Sequence, residues 1–375
     1  MPTPLKNQPV PPKLRYAPVP LDDAPQVQGL LSRSGLGTLD PESLTSYMGR
    51  NDNWAGTTST GAEVFVKHIG GSPQDSLSRF TRVTSFDRML RSTAVAELHS
   101  PRLLAADEPS RTLAFDLLED CRSGADLASD EEFDDALAER AGRLVAELHE
   151  LPLGEYDVDD SLPPMPPMDS LQALPWQLFV NCSAAQLEAW GLMQSDQELL
   201  TALNGLRERE LAATRRPSHC DLRLDQFLLS GETLLLTDWE EFRLADPARD
   251  VGGFAGEWLY RAVLGIPKAL GAEERFGRSP SHEEVVGRGV EELDRLRPRV
   301  EAFCAGYRAV RPDLDAGFAV RAVGYAGWHL IERMLAGSAQ RVRLGAVDRA
   351  AAGIGRTALL APAASVTTLG LGGLS

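Results

Sequence analysis

Between Ser218 and Glu240 the chain reads SHCDLRLDQFLLSGETLLLTDWE. Two carboxylates in this stretch, Asp221 and Asp238, stand 17 residues apart. Phe227–Leu229 and Thr233–Thr237 have the apolar character of short strands, and Gly231 supplies the turn between them. Each acid falls at the edge of a strand, so a rigid hairpin would hold both at one place. Such a pair suits phosphoryl transfer. One carboxylate orients or accepts the proton of a hydroxyl nucleophile, and the other holds a magnesium ion that bridges nucleotide phosphates.

Composition narrows the remaining classes. The chain has 375 residues, 43% hydrophobic and 25% charged, the make-up of a folded protein of one bilobal unit or two domains. Its formal net charge of −16 disfavours a general nucleic-acid binder, which needs a basic face. No stretch approaches the roughly 20 apolar residues of a membrane span, and the N-terminus lacks a secretory apolar core. Cys121, Cys182, Cys220 and Cys304 are scattered, with no CxxC pair, which points to neither zinc nor a disulfide framework. The expectation is a soluble, reduced, cytoplasmic protein.

Along the chain, residues 1–30 are Pro-rich, carry Lys6, Lys13 and Arg15, and read as an extended arm. Leu44–Met48 and Glu63–Lys67 are strand-like, with a turn at Ser59–Gly61. Gly49–Gly56 falls between them as a loop. Phe80, Val83, Phe86 and Leu90 recur at helical spacing over Ser76–Leu90. Arg102–Ala106 and Thr112–Leu118 read as two more strands around a turn at Asp107–Ser110. A helix over 132–151 carries Phe133, Leu137, Ala141, Leu144, Val145 and Leu148 on one stripe. Residues 152–185 read as a Pro-rich loop insertion and Gln186–Arg209 as a helix. Nearly everything from 256 to 360 reads as helical, and residues 361–375 as a flexible tail. Between Asp126 and Asp160 there are thirteen acids against two arginines. Two readings of that run stay open: a solvated helix face, or a field that draws in a cationic substrate or basic peptide.

The block from His219 to Glu240, continued by Ala245-Asp246-Pro247-Ala248-Arg249-Asp250, resembles the HGDLxxxN…DW(E/D)…GDPxxD pattern of the aminoglycoside phosphotransferase-like kinases, relatives of the eukaryotic protein kinases. The resemblance spans about residues 40–350. It implies an α+β, bilobal protein-kinase-like fold. A small antiparallel-sheet N-lobe with one helix would occupy 31–118 and bind nucleotide. A larger, mostly helical C-lobe over 119–360 would carry the catalytic loop and the acceptor-binding helices.

Roles follow residue by residue. Asp221 matches the catalytic aspartate, His219 the histidine that supports the catalytic loop, Asp238 the metal-binding aspartate, and Asp250 an aspartate that braces the loop. Gln226 takes the position of the family's asparagine, a second magnesium ligand; it keeps the carbonyl but sets it one methylene further out, and Asp225 beside it is another candidate. Val64–Lys67 resembles the strand that ends in the phosphate-binding lysine, with Lys67 placed 154 residues ahead of Asp221. By position Gly49–Gly56, with Asn51 and Asn53, would cover the nucleotide. Asp116 to Leu118 would be the linker that meets adenine. Asp87 and Glu97 are the candidates for the helix acid that pairs with Lys67. Arg223 would contact phosphate or substrate, or pair with Glu240 or Asp225. Cys220 stands where relatives have glycine or alanine and reads as a small packed residue. His329 and Glu332 share a helix face without an HExxH motif.

The resemblance implies an ATP- and magnesium-dependent transfer to a hydroxyl. The spelling DLRLDQFL, the Pro-rich arm and the arginine-rich C-terminal helices look most like the branch that phosphorylates Ser or Thr of ribosomal precursor peptides, as in class V lanthipeptide and thioamitide-type pathways. There a separate partner lyase eliminates the phosphate. A small-molecule, aminoglycoside-type acceptor is the alternative. A pseudokinase scaffold subunit of a peptide-modification complex is the rival from another class. Neither a nucleic acid nor a membrane is an expected partner.

Overall fold

Val64 and Val66 alternate with Phe65 and Lys67 along one strand, and this period of two sends the valines to one face of a sheet and Lys67 to the other. The computed structural model describes residues 19–47, 49–118, 120–154, 156–271 and 281–375. These divide into two compact units. The first holds the described residues up to Ser92, with Ser100–Cys121 and Thr237–Glu240. The second holds Thr93–His99, Arg122–Leu236 and Glu241–Ser375.

The first unit contains helix α1 (Pro25–Arg33), strands β1 (Asp52–Thr57) and β2 (Glu63–His68), helix α2 (Pro73–Ser92), and strands β3 (Leu103–Asp107) and β4 (Thr112–Asp116). The strands form one antiparallel sheet in the order β1-β2-β4-β3. Lys67 stands opposite Asn53 of β1 and Leu113 of β4. The valine face packs on Val27, Leu30 and Leu31 of α1 and on Trp54. Here the expected extended arm is corrected. Its residues 1–18 lie outside the described residues, but Pro25 opens a helix at its first position, where a missing N–H costs nothing. The buried residues Val27, Leu30 and Leu31 then follow helical spacing. The first strand is corrected too. Leu44–Tyr47 makes only an isolated bridge, Thr45 to Ala55, and the true strand is Asp52–Thr57, within the segment read as a loop. Asn and Gly obscured it, because its pairing with β2 outweighs their weak strand propensity.

Strand β5 (Cys121–Ser123) runs from the last residue of the first unit's middle segment into the second unit, which continues with α3 (Gly124–Ser129) and α4 (Asp135–His149). Four helices follow: α5 (Met168–Gln172), α6 (Trp176–Asn181), α7 (Ala184–Ser195) and α8 (Gln197–Ala212). Next come strands β6 (Arg216–Ser218), β7 (Phe227–Ser230), β8 (Thr233–Leu236) and β9 (Arg243–Ala245). Helices α9 (Ala248–Gly271), α10 (His282–Val310), α11 (Phe318–Ser338), α12 (Ala346–Leu360) and α13 (Pro362–Ser365) complete it. Phe133, Phe227, Phe254, Phe303 and Phe318 are buried in its core. Helices α4 and α10 cross closely through Gly142 and Gly306, where a Cβ would run into the other helix's backbone.

Three expectations for this unit change. The insertion 152–185 folds two short helices, α5 with Leu171 buried and α6 starting after Pro175. The helix expected over Gln186–Arg209 is two helices, because Asp196 accepts from the Leu199 N–H and caps a new start. The tail is not flexible. Val366, Leu369, Leu371 and Leu374 are buried, and Gly370 at φ +76° makes the turn that folds them back. Small residues masked this apolar recurrence in the sequence. Among the described residues no helix is long and apolar enough to cross a membrane.

Candidate active site

Strand pairing helps place the loop that carries Asp221 in the second unit. Ser218 of β6 pairs with Arg243 of the antiparallel strand β9, which fixes where the segment 219–226 leaves the sheet. Asp246 accepts from the Ala248 N–H (3.1 Å) and starts α9, which carries Asp250. The Asp250 carboxylate accepts the backbone N–H of His219 (2.7 Å) and that of Cys220 (2.8 Å). Its Oδ2 also meets His149 Nε2 at 3.0 Å, and His149 Nδ1 meets the Tyr307 hydroxyl at 2.7 Å. Arg311 donates to the same hydroxyl. Burial would raise the Asp250 pKa, but the histidines and the backbone donors hold it below the usual carboxylate range; burial pushes His149 down, so it stays neutral.

The loop that Asp250 braces turns through Cys220 at φ +66°, a left-handed conformation that favours glycine. A thiol occupies this position, and burial raises its pKa well above the ordinary value. Asp221 follows. Its Oδ2 accepts from Arg223 (2.7 Å) and from Gln226 Nε2 (3.2 Å), and its Oδ1 takes no hydrogen bond from the described residues. Arg223 also forks onto both oxygens of Asp225, at 3.0 and 3.2 Å. The Gln226 carbonyl accepts the Arg223 backbone N–H (3.0 Å), and the side chain is buried. Both ends of the amide are thus engaged on its own loop, unlike the outward carbonyl expected of a metal ligand.

The first unit gathers a second cluster. Lys67 Nζ lies 2.6 Å from Asp238 Oδ1 and also contacts Glu240 Oε1. Asp238 adopts φ +70°, and its side chain stays 34% exposed. Burial alone would lower the Lys67 pKa, yet the two carboxylates outweigh it and raise it. Glu240 Oε2 accepts from Arg79 of α2 at 2.8 Å, and Oε1 accepts from Asn51 Nδ2 at 2.7 Å.

The residues expected around the nucleotide have partners of their own. Asn51 bridges Glu240, Arg79 and the Gly70 N–H, and Asn53 is tied to Ser46 and Tyr47. Asn53 is a polar group buried in the sheet and satisfied there, whereas Asn51 is half-buried just ahead of β1. Asp87 pairs with Arg91 one turn on (2.7 Å), not with Lys67. Glu97 belongs to the second unit, where its N–H donates to Glu147. Asp116 pairs with Arg102 at 3.0 Å, and the Leu118 carbonyl accepts from the Cys121 thiol. His329 pairs with Glu257 at 2.7 Å, and among the described residues no three His, Cys, Asp or Glu side chains gather as a metal cage. Acids of the 126–160 run form ion pairs with arginine: Asp130 and Glu132 with Arg122, Asp135 with Arg299, Glu150 with Arg311.

Arg79, His149 and the role of Glu240 escaped the sequence reading. The available signal was a charged or polar residue in line with an apolar stripe: Arg79 with Val83 and Phe86, His149 with Ala141 and Val145.

A family model described as the phosphotransferase enzyme family (APH) matches residues 49–303, more than half of the chain, and the chain belongs to that family. A search of curated proteins found no match. Among solved structures, amicoumacin kinase hAmiN, in complex with AMP-PNP, Ca2+ and Ami, is similar at a TM-score of 0.56 and 13% identity, over 88% of this chain and 92% of that one. The microcompartment-associated aminopropanol kinase gives 0.52 and 14%, over 94% and 99%. A choline/ethanolamine kinase family protein from Mesorhizobium loti gives 0.51 and 14%, over 94% and 99%. The fold is thus the mixed α+β, protein-kinase-like one. The chain is an ATP-dependent kinase, a phosphotransferase with a hydroxyl group as acceptor.

Proposed function

We propose that the chain is a magnesium-dependent kinase that phosphorylates Ser or Thr hydroxyls of a ribosomal precursor peptide, ahead of elimination by a separate lyase. The phosphotransfer part rests on one observation: Lys67, at the end of its strand, meets Asp238 of the DWE run at 2.6 Å. The pair fits a metal–nucleotide, since a partly exposed carboxylate is a hard oxygen donor for magnesium and an ammonium suits phosphate. Magnesium-bound ATP supplies the phosphoryl group and the divalent charge on its oxygens. Lys67 binds phosphate oxygens, and Asp238 holds the metal without help from the Gln226 carbonyl. Asp221 accepts the acceptor's hydroxyl proton on Oδ1, while Arg223 and Gln226 fix its orientation through Oδ2. Asp250, His219 and His149 hold the loop in shape.

The peptide acceptor draws support from α6. Trp176 is 73% exposed, with Leu178, Phe179 and Val180 also exposed, and this apolar ridge gives an extended peptide a surface to lie on. The arginine-rich helices no longer argue for it, because Arg288, Arg295, Arg297, Arg299 and Arg311 are ion-paired within the chain. A small-molecule acceptor is the second reading, favoured by the names of the similar kinases, which refer to amicoumacin, aminopropanol and choline or ethanolamine. The test is mass spectrometry after incubation with Mg-ATP and separate pools of precursor peptides and amino-alcohol or aminoglycoside acceptors, with Asp221→Ala as control. Phosphate on a peptide Ser or Thr supports the first reading and phosphate on a small molecule the second. Absence of ATP binding would leave the scaffold role.

A further inference from the structure

Helix α2 of the first unit delivers a cation, not an acid, to the lysine cluster. Arg79 is fully buried on α2 and donates to Glu240 Oε2 at 2.8 Å. The other Glu240 oxygen takes Asn51 at 2.7 Å and Lys67. One turn on from Arg79, Arg82 donates to the Glu240 carbonyl at 3.2 Å. A further turn on, Phe86 stacks on Trp239 with ring centroids 3.4 Å apart. Residues 79, 82 and 86 share one face of the helix, and all three grip the Trp239–Glu240 pair. The charges therefore alternate, Arg79 to Glu240 to Lys67 to Asp238.

We propose that Glu240, locked to α2 by Arg79, is the positioning residue for Lys67, so that α2 governs the phosphate-binding ammonium through the DWE segment rather than through an acid of its own. Two carboxylates flank Lys67, and they differ in what else holds them. Asp238 is one-third exposed, whereas the Glu240 side chain is 10% exposed and fixed from two sides. Glu240 keeps Lys67 in place when Asp238 is drawn to a divalent cation. Arg79 supplies the fork that a lysine cannot reproduce: it reaches Glu240 and Asn51 through one nitrogen and Asp75 through another.

This inference rests on Lys67 being the phosphate-binding lysine, and the experiment separates the two. Binding of Mg-AMP-PNP is measured by calorimetry for wild type, Lys67→Ala, Glu240→Gln, Arg79→Met, Arg79→Lys and the Arg79→Met/Glu240→Gln pair, with thermal unfolding of each nucleotide-free variant alongside. Glu240→Gln and Arg79→Met should each weaken binding about tenfold, and the double variant should be no weaker than Glu240→Gln alone, the coupling expected of groups acting in series. Arg79→Lys should recover only part of the loss. If Arg79→Met fails to fold, Arg79→Lys and Glu240→Gln still decide. Wild-type affinity in the folded Arg79 variants, or losses that multiply, would overturn the proposal. Wild-type affinity in Lys67→Ala would instead overturn the phosphate-binding reading on which it rests.

Discussion

His149 Nε2 and Asp250 Oδ2 lie 3.0 Å apart, and neither side chain is exposed to solvent. The imidazole comes from the last turn of α4 and the carboxylate from the first turn of α9. The same carboxylate carries the backbone N–H groups of His219 and Cys220, so a helix–helix contact and the shape of the loop ahead of Asp221 depend on one side chain. Asp250→Asn leaves one of those N–H groups facing an amide NH2. It should cost about 3 kcal/mol, as expected for a buried charged partner removed. A shift of the urea midpoint measures this; an unchanged midpoint would refute the bracing role.

The same pair sets a pH dependence. Burial holds the His149 pKa below its ordinary value, so the folded imidazole stays neutral while that of the unfolded chain protonates near pH 6.5. Its contribution is fully present above that pH and declines as pH falls toward the lower folded value, by at most about 1.4 kcal/mol per unit. Asp250, with its lowered pKa, adds stability that is lost only at still lower pH. Thermal unfolding between pH 7 and 5 should therefore show a falling Tm, with a shallower slope in His149→Gln. Equal slopes would contradict the neutral, buried imidazole.

Cys220 is strained at φ +66°. Replacement by glycine exchanges relief of that strain against chain entropy and should leave stability within about 1 kcal/mol of wild type. Cys220→Val, β-branched in the same conformation, should lose about 2 kcal/mol or more. Chemical unfolding of the two variants checks the order. The thiol, with its raised pKa, should also resist alkylation at pH 8 until the protein unfolds.

Asp221 differs from these residues: its Oδ1 takes no hydrogen bond from the described residues, which points to chemistry rather than stability. Asp221→Asn should keep the fold and Mg-AMP-PNP affinity while losing about 10²–10⁴ in transfer rate, the range for removal of a general base. Loss of nucleotide affinity in this variant would assign Asp221 to binding instead.

Much of this was legible in the sequence because local pattern and tertiary demand agree there. The β7–β8 hairpin, with its Gly231 turn at φ +54°, the stripe of α4 and the Lys67 strand follow from periodicity alone. Contact partners were less legible. The sequence offers Asp87 and Glu97 as partners of Lys67, yet Glu240, distant in sequence, takes that place while α2 contributes Arg79. Gln226 shows the limit at single-atom scale: its carbonyl accepts the Arg223 N–H, a placement set by the path of the loop that no composition rule carries. The tail and β1 were hidden by small residues whose pairing and burial are non-local.

The most direct test of the central claim is phosphate transfer itself, followed by mass spectrometry with Mg-ATP, the peptide and small-molecule acceptor pools, and Asp221→Asn and Asp238→Ala as controls. The account predicts gain of one phosphoryl group on an acceptor hydroxyl, absent with either variant. Transfer that survives in both variants would contradict it.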